Sequence, residues 1–418
     1  MNRRNLLVGS SSLLALAAAS AAPSAQQTTP EGGKFDLVVK GGEVVDPSQG
    51  LRARRDVGIR NGAIAALEAD IPAERATRLL DASGSIVTPG LVDLHAHVFP
   101  YGSALGLPAD ELVPYTCTTT AVSAGDAGAN NIAALRRLVA AQARTRIYAF
   151  VHIANFGLAG FPVGEMLNID HAEVENCARA VASNREFCLG VKVRQSENVV
   201  AANGLEPLRR AIRAAEMAGP WAKVMCHIGG VPGRLPELLD LLRPGDILTH
   251  AYSGSGNNTV QDGRLLPAAR AAKERGVIFD VGHGGGSFDY AVAEPAMAQG
   301  LTPDVISSDI HAVSGNTPGM PYLPWVMSKF LNLGMSLEAV VAAATINPAR
   351  VIDRQEKLGT LQPGAPADVA VMRLVEGPVT FEDTRKNVRQ GTAHLVPVAT
   401  VRGGVPFGRP YMTPFSHG

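Results

Sequence analysis

The chain has 418 residues, of which 46% are apolar, and its 38 basic side chains balance its 38 acidic ones. This balance gives no support to a nucleic-acid or membrane-surface partner, because such partners select proteins with an excess of positive charge. The length accommodates one large domain and a smaller one. The 44 glycines and 28 prolines are spread along the chain, which favours many short loops over a low-complexity tract.

The N-terminus predicts an export signal over residues 1–25. Arg3 and Arg4 precede a leucine-, alanine- and serine-rich stretch that lasts to about Ala22. A basic start followed by an apolar run is typical of a secretory signal, and the paired arginines resemble a twin-arginine signal. An uncleaved anchor is the alternative, although the run is short and broken by serines for a membrane span. We expect a periplasmic or secreted protein with a linker over residues 26–34 and no stable membrane association after cleavage.

Four cysteines lie inside apolar segments, and no Cys-x-x-Cys motif occurs in the chain. An exported protein is free to form disulfides, but these cysteines do not make a dense framework, so we expect buried free thiols. The spacing also argues against a zinc ribbon or a redox pair. The four residues are Cys117, Cys177, Cys188 and Cys226.

The first folded segment, residues 35–90, reads as short strands joined by glycine turns. Asn61 and Gly62 stand between two apolar runs, and Asn-Gly is the strongest short hairpin motif. Strand-like segments return after residue 351. We therefore expect a small composite β-sandwich domain that is built from residues 35–90 and 351–418.

Residues 91–350 predict an α/β fold, a closed (β/α)₈ TIM-type barrel. Apolar strand candidates alternate here with helix-length segments rich in alanine, leucine and arginine. Eight such repeats over this length match the size of a barrel, whose active residues lie at the carboxyl ends of the strands. The strand candidates are residues 91–98, 117–124, 146–154, 189–195, 223–228, 246–252, 277–283 and 305–311, and helix candidates include 132–142, 172–182, 207–218 and 265–275.

Polar side chains stand at the ends of several of these strands. His95 and His97 are two residues apart, so their side chains share one face of the first strand and reach one metal ion without a bend. A single histidine at a strand end is more often a hydrogen-bonded core residue. Six metal-compatible groups in barrel order make coincidence a poor explanation. They are His95, His97, Lys192, His227, His250 and Asp309.

These residues, with the segment 357–368 that returns to the β-domain, resemble the amidohydrolase superfamily. This superfamily of metal-dependent hydrolases includes dihydroorotase, dihydropyrimidinase and urease. Residues 191–196, 283–288 and 307–311 are most similar to its amidohydrolase/deacetylase branch, which is dihydroorotase-like in its metal site but acts on N-acyl compounds.

The resemblance implies two zinc ions per subunit. One would be held by His95, His97 and Asp309, and the other by the remaining two histidines, with Lys192 bridging both. A lysine ammonium has no lone pair and binds no cation, so the bridge requires carboxylation of Lys192 by CO₂ to a carbamate. Metal-bound hydroxide would attack the substrate carbonyl. Asp309, the expected catalytic residue, would pass the proton of the nucleophile to the leaving nitrogen.

Four further residues are candidates for binding the substrate. Arg194 shares the parity of Lys192 and is a candidate clamp for a substrate carboxylate, with a structural salt bridge as the alternative. His283 is expected either to donate to the substrate or to support the metal ligands. Tyr252 and His311 each follow a metal ligand by two residues and are candidate cavity walls. His152 is expected to be a core histidine.

Together these observations predict an exported binuclear-zinc amidohydrolase. Its substrate would be a small N-acyl molecule, such as an N-acyl amino acid or a related acylated acid. The alternatives are a cyclic-amide, lactone or ester, or small-peptide hydrolase with the same metal site, and a catalytically silent barrel used for binding or as a scaffold. A silent barrel predicts that a metal ligand is replaced, whereas all six are present. A homo-oligomer is compatible with the sequence.

Overall fold

The computed structural model describes residues 33–316 and 322–407. The predicted export signal and residues 26–32 of the predicted linker lie outside these residues. Within them, no helix has the length and apolar character that a membrane crossing requires.

Seven short strands precede the barrel in the part of the chain that the structure describes, and the predicted Asn61-Gly62 hairpin is confirmed. These two residues have φ values of 51° and 73°, as a type I′ turn requires, and they join two antiparallel strands. The strands are β1 (Leu37–Lys40), β2 (Glu43–Asp46), β3 (Leu51–Arg54), β4 (Asp56–Arg60), β5 (Ala63–Glu68), β6 (Leu79–Asp81) and β7 (Ile86–Pro89).

The next segment forms the parallel sheet of the predicted barrel. Its order is β16-β13-β12-β11-β10-β9-β8, so each parallel strand pairs with its neighbour along the chain, apart from a small inserted hairpin of β14 and β15. The strands are β8 (Leu91–Ala96), β9 (Thr118–Gly128), β10 (Arg146–His152), β11 (Cys188–Gln195), β12 (Lys223–Ile228), β13 (Ile247–Thr249), β14 (Val260–Gln261), β15 (Arg264–Leu265) and β16 (Ile278–Asp280).

The eighth predicted strand, residues 305–311, closes the barrel without forming a continuous ladder. Val305 makes a parallel bridge to Asp280, and Ile310 makes one to Ala96. Asp309 has a φ of 48°, which lies outside the β region and interrupts regular pairing. The predicted sixth and seventh strands also end early, close to the positive φ values of His250 and Gly282. The sequence pattern therefore locates these strands but overestimates their length.

Helices cover the barrel, and the predicted segments at 172–182, 207–218 and 265–275 are helical in their central parts. The segment 132–142 instead begins as α2 and continues as a π-helical turn over Leu135–Ala140. The helices are α1 (Ala109–Leu112), α2 (Ile132–Ala134), α3 (Val174–Ala182), α4 (Glu197–Val200), α5 (Glu206–Ala218), α6 (Leu235–Leu241), α7 (Pro267–Glu274), α8 (Tyr290–Ala298), α9 (Leu323–Asn332), α10 (Leu337–Ala343) and α11 (Ile346–Val351).

The chain then returns to the β-domain through β17 (Val369–Glu382), β18 (Val388–Arg402) and β19 (Val405–Pro406). Strands from both ends of the described chain share a six-stranded sheet of order β19-β18-β17-β7-β2-β3, which accompanies a four-stranded sheet of order β5-β4-β1-β6. Their buried valines and leucines form a core separate from the barrel core. The composite sandwich that the sequence predicts is thus present.

Candidate metal centre

The six predicted metal ligands lie at one rim of the barrel. His95 is on β8, Lys192 on β11 and His227 on β12, whereas His97 and His250 follow the ends of their strands and Asp309 lies within the closing segment. The side chains meet because the carboxyl ends of parallel barrel strands share one face. His95 and Lys192 are each 1% exposed, and Asp309 is 8% exposed.

Three of these side chains have the spacing of a metal site. Oδ1 of Asp309 lies 3.3 Å from Nε2 of His95 and 3.1 Å from Nε2 of His97. Two ligand atoms about 2.05 Å from a tetrahedral zinc are separated by about 3.3 Å. The ligand atoms of the three residues all lie within 4.8 Å of one another, so they are spaced to hold one metal ion.

Hydrogen bonds on the far sides of the rings direct both histidines. Nδ1 of His97 donates to Oδ1 of Asp126 at 2.9 Å. Nδ1 of His95 lies 2.8 Å from Oγ1 of Thr249, whose hydroxyl donates to Asp280 at 2.6 Å. The hydroxyl proton is thus engaged, so the His95 ring donates to Thr249. Each ring thus uses Nδ1 for its outer hydrogen bond, which leaves Nε2 as the nitrogen that faces the centre, as in metal-binding histidines.

The other two histidines form a second pair. Nδ1 of His250 donates to the carbonyl of Gly282 at 2.6 Å, and its Nε2 lies 2.7 Å from Nδ1 of His227. Burial, reinforced by the charge of Lys192, lowers the pKa of His250 to about 4 against the pull of Asp309. Burial likewise holds the pKa of His227 well below its ordinary value. Both imidazoles are neutral, which is the form that binds metal.

Lys192 extends into the centre from the floor. Its Nζ lies 3.1 Å from Nε2 of His95, and a Cβ at Gly125 would overlap its side chain. Burial lowers the pKa of Lys192 to about 8, although the charge of Asp309 opposes the shift. A lower pKa increases the fraction of free amine near neutral pH, and the free amine is the form that reacts with CO₂. The structure thus suits the carbamate that the resemblance implies.

Asp309 is the ionised group of the rim. Burial would raise its pKa, but the surrounding imidazoles, His95 first, hold the pKa of Asp309 well below its usual range. Its Oδ1 faces the two histidines, whereas its Oδ2 has no hydrogen-bond partner within residues 33–316 and 322–407. Gly284, at a φ of 52°, leaves room for Oδ2, because a Cβ there would overlap it.

A cavity of about 330 Å³ is lined by five of the six side chains, and the sixth, His250, is buried beneath them. This volume suits a small ligand, and its upper wall is mostly apolar. Besides metal-site residues, the lining comprises Leu105, Leu158, Phe161, Arg194, Gly285, Gly286, Ser287, His311 and Val313.

The four predicted substrate-binding residues divide into two groups. Arg194 and His311 line the cavity, and Arg194 also pairs with Glu165. Tyr252 does not: it is fully buried, and its hydroxyl donates to the carbonyl of Leu301 at 2.8 Å. The expectation for Tyr252 is therefore wrong.

His283 also faces away from the cavity. Its Nε2 accepts a hydrogen bond from Lys329 at 2.8 Å, and its ring stacks on Phe288. Nδ1 donates to the carbonyl of Gly284 at 2.8 Å. Both ring nitrogens are thus engaged, so the expectation that His283 donates to the substrate is wrong, and the residue instead supports the loop beside Asp309.

Sequence reasoning missed the groups that hold the ligands in place. Asp126 stands near the end of β9, so the strand-end rule that selected the histidines also applies to it. Asp280 ends β16 in the same way. Glu165 lies in a long loop, and nothing in its sequence context identifies it. His152, expected to be a core histidine, is fully buried and bonds to Glu165.

Comparisons with known proteins agree with this site. Residues 286–404 match the amidohydrolase family. A deacetylase of Agrobacterium fabrum is 35% identical over 330 residues, which cover 78% of this chain and 80% of the relative. A deacetylase of Enterococcus faecalis is 29% identical over 372 residues, with 88% and 98% covered.

The fold is also that of a solved relative. The crystal structure of a dihydroorotase superposes with a TM-score of 0.82 at 31% identity, and the match covers 88% of this chain and 97% of that structure. The barrel, the metal-compatible rim and these relatives lead to one conclusion. The chain belongs to the amidohydrolase family, and it is a metal-dependent hydrolase that acts on carbon–nitrogen bonds.

Proposed function

We propose that the protein is an exported binuclear-zinc deacylase that hydrolyses the amide bond of a small N-acyl amino acid or a related acylated acid. The observation that carries this proposal is the convergence of six metal-compatible side chains below a cavity that also contains a guanidinium group. The similarity to proteins named deacetylases supports the reaction class.

As the resemblance implies, His95, His97 and Asp309 would hold one zinc, His227 and His250 would hold the other, and a carbamate of Lys192 would be shared by both. Zinc bound by these residues would lower the pKa of a water molecule to about 7 and would polarise the scissile carbonyl. The protein supplies neutral imidazoles and a lysine that is readily carboxylated.

Asp309 transfers the proton. Hydrolysis forms a bond between water oxygen and the acyl carbon, breaks the carbon–nitrogen bond and moves a water proton to the leaving nitrogen. Asp309 is ionised, and its Oδ2 faces away from His95 and His97 and has no protein partner among the described residues. The Nδ1–H groups of His95, His97 and His250 point outward to fixed acceptors. Asp309 is therefore the group best placed to accept and return that proton.

Arg194 supplies the selectivity for an acid. It is the guanidinium that lines the cavity, and its side chain is 15% exposed. A guanidinium pairs with a carboxylate through two parallel hydrogen bonds, which fixes orientation as well as charge. An acylated amino or hydroxy acid presents such a carboxylate near the scissile bond.

A substrate screen tests the function. Zinc-loaded protein is assayed with N-acetyl-L- and N-acetyl-D-amino acids, O-acetylated hydroxy acids and lactones, and Asp309→Asn serves as the control. We expect turnover of an N-acetyl acid, loss on chelation, and recovery with zinc. Activity on lactones alone would contradict the deacylase proposal and leave the metal site standing.

Export is tested separately. We expect the full chain to reach the periplasm or medium and the variant with both Arg3→Lys and Arg4→Lys to remain in the cytoplasm. Equal export of the two proteins would contradict the twin-arginine signal.

A further inference from the structure

We propose that Glu165 and His152 are positioning residues that hold the guanidinium of Arg194 so that its free edge receives the substrate carboxylate. The inference rests on the proposed function, because it assigns a purpose to the same cavity. It adds His152, on β10, and Glu165, in the loop that follows, neither of which the sequence patterns connect with substrate recognition.

The first observation is the pairing of Arg194 with Glu165. Nη1 of Arg194 lies 3.2 Å from Oε1 and 3.0 Å from Oε2 of Glu165. The Glu165 side chain is only 2% exposed. Water therefore competes little for its carboxylate, and the pair has a defined geometry that surface pairs lack.

The second observation is the way His152 holds Glu165. The backbone N–H of Ala154 donates to Nδ1 of His152 at 3.0 Å, so this nitrogen carries the lone pair. Nε2 therefore carries the proton of the neutral ring and donates to Oε1 of Glu165 at 3.1 Å. His152 is fully buried. One backbone amide thus sets the tautomer that fixes the carboxylate.

The third observation concerns the N–H groups of Arg194 that Glu165 does not engage. A guanidinium has five N–H donors, and Glu165 engages only Nη1. Nε and Nη2 have no hydrogen-bond partner in the part of the chain that the structure describes, and Arg194 lines the cavity. These two nitrogens form the planar fork that matches a carboxylate. Glu165 also offsets the charge of Arg194, so recognition depends on the direction of the fork more than on net charge.

A double-mutant cycle tests the inference. KM and kcat are measured for the best N-acetyl amino acid and for its uncharged primary amide, in the wild type, E165Q, R194Q and the double variant. We expect R194Q to raise KM for the acid about 100-fold and E165Q about 10-fold, since hydrogen bonds to charged groups carry energies of this size. The amide should change less than about threefold in each case.

The double variant separates positioning from general damage. If Glu165 acts through Arg194, E165Q has no further effect in the R194Q background. Additive losses, or an equal loss with the amide, would overturn the inference. E294Q is the matched control, because Glu294 makes a bidentate pair with Arg389 and does not line the cavity.

His152 provides a second test that leaves Glu165 in place. His152→Leu removes the donor to Glu165 and should raise KM for the acid about threefold, a loss expected for one hydrogen bond. His152→Gln retains an amide donor and should restore the wild-type value. Failure of this restoration, with both proteins folded and metal-loaded, would contradict the assigned role.

Failure of the proposed function is distinguishable. If the zinc-loaded wild type turns over no N-acyl acid, the function is wrong, and calorimetry with N-acetylalanine still tests the positioning. The wild type should then bind this acid about tenfold more tightly than E165Q. Equal binding would overturn the inference independently of catalysis.

Discussion

Two buried lysines differ in what surrounds them. Lys192 is 1% exposed and Lys329 is fully buried, and each places its Nζ within hydrogen-bond distance of Nε2 of a histidine. Burial lowers the pKa of both, to about 8 for Lys192 and about 7 for Lys329. Neither burial nor pKa therefore separates a functional lysine from a structural one.

The groups around Lys192 and Lys329 are what distinguish the two lysines. Lys329 donates to His283 and, at 2.6 Å, to the carbonyl of Glu382, and its amine lies 5.4 Å from the ring centroid of Phe288. It joins α9 to the end of β17 and is sealed from the cavity. Lys192 lines the cavity beside four imidazoles and Asp309. Access to the cavity, together with neighbours able to bind metal, therefore distinguishes Lys192 from Lys329 and supports its proposed role in the metal site.

The largest expected effect comes from removing the reactive lysine. Lys192→Met should lower kcat/KM by about 1,000-fold or more, because it removes the proposed bridging ligand of a metal-assisted reaction. Its thermal midpoint without metal should remain close to that of the wild type. Kinetics and calorimetry check this expectation, and near-normal activity would show that the two lysines are equivalent.

Removing the structural lysine should have the opposite profile. Lys329→Met should leave kcat/KM within about fivefold, since Lys329 touches no cavity residue, but should alter how stability depends on pH. The pKa of Lys329 is about 7 when folded and the ordinary lysine value is 10.5, so the unfolded chain binds more protons between these pH values.

Wild-type stability should therefore rise with pH in that window, with an extra slope approaching about 1.4 kcal/mol per pH unit relative to the variant. Chemical denaturation between pH 7.5 and pH 9.5 measures the difference. Parallel profiles would mean that Lys329 is not held as the free amine.

Glu165 is a buried carboxylate whose charged form the folded protein favours, whereas for Lys329 it favours the neutral form. Burial alone would raise its pKa, but His152 and Arg194 lower the pKa of Glu165 to about 2. Its stabilisation is present above the ordinary value of about 4.5 and is lost as pH falls towards 2. As pH falls through this range, denaturation of the metal-free proteins should show that the wild type loses more unfolding free energy than Glu165→Gln, by an amount on the order of 3 kcal/mol. Equal acid sensitivity would contradict this ion pair.

The smallest effect is expected at Tyr252, which, like Lys329, is sealed from the cavity. Tyr252→Phe removes the hydrogen bond to Leu301 and should cost about 1 kcal/mol of unfolding free energy. Turnover should be unchanged within about twofold. A large rise in KM in this variant would mean that Tyr252 lines the cavity and contacts the substrate.

Backbone regularity explains which site residues the sequence could predict. Strand β11 remains regular through Gln195, so the parity rule that linked Arg194 to Lys192 holds, and both line the cavity. The same rule fails for Tyr252, because His250 has a φ of 66° and the alternation of the strand is lost there. Gly282, at a φ of 49°, similarly interrupts the alternation just before His283, whose side chain faces away from the cavity.

Long-range partners were beyond the reach of sequence patterns. Lys329 bonds to a histidine 46 residues earlier, and Glu165 bonds to an arginine 29 residues later. Such pairs depend on how loops and helices fold against the barrel, which local periodicity does not encode. The strand-end rule succeeded for the six rim residues because the barrel itself brings them together.

The most direct test is the metal content of Lys192→Ala beside that of the wild type, both supplied with zinc and bicarbonate. We expect two zinc ions per chain in the wild type, and we expect fewer, with loss of turnover, in the variant. Added bicarbonate should increase zinc binding only where Lys192 is present, because the carbamate forms on its amine. Two zinc ions and normal turnover in Lys192→Ala would contradict the carbamate bridge.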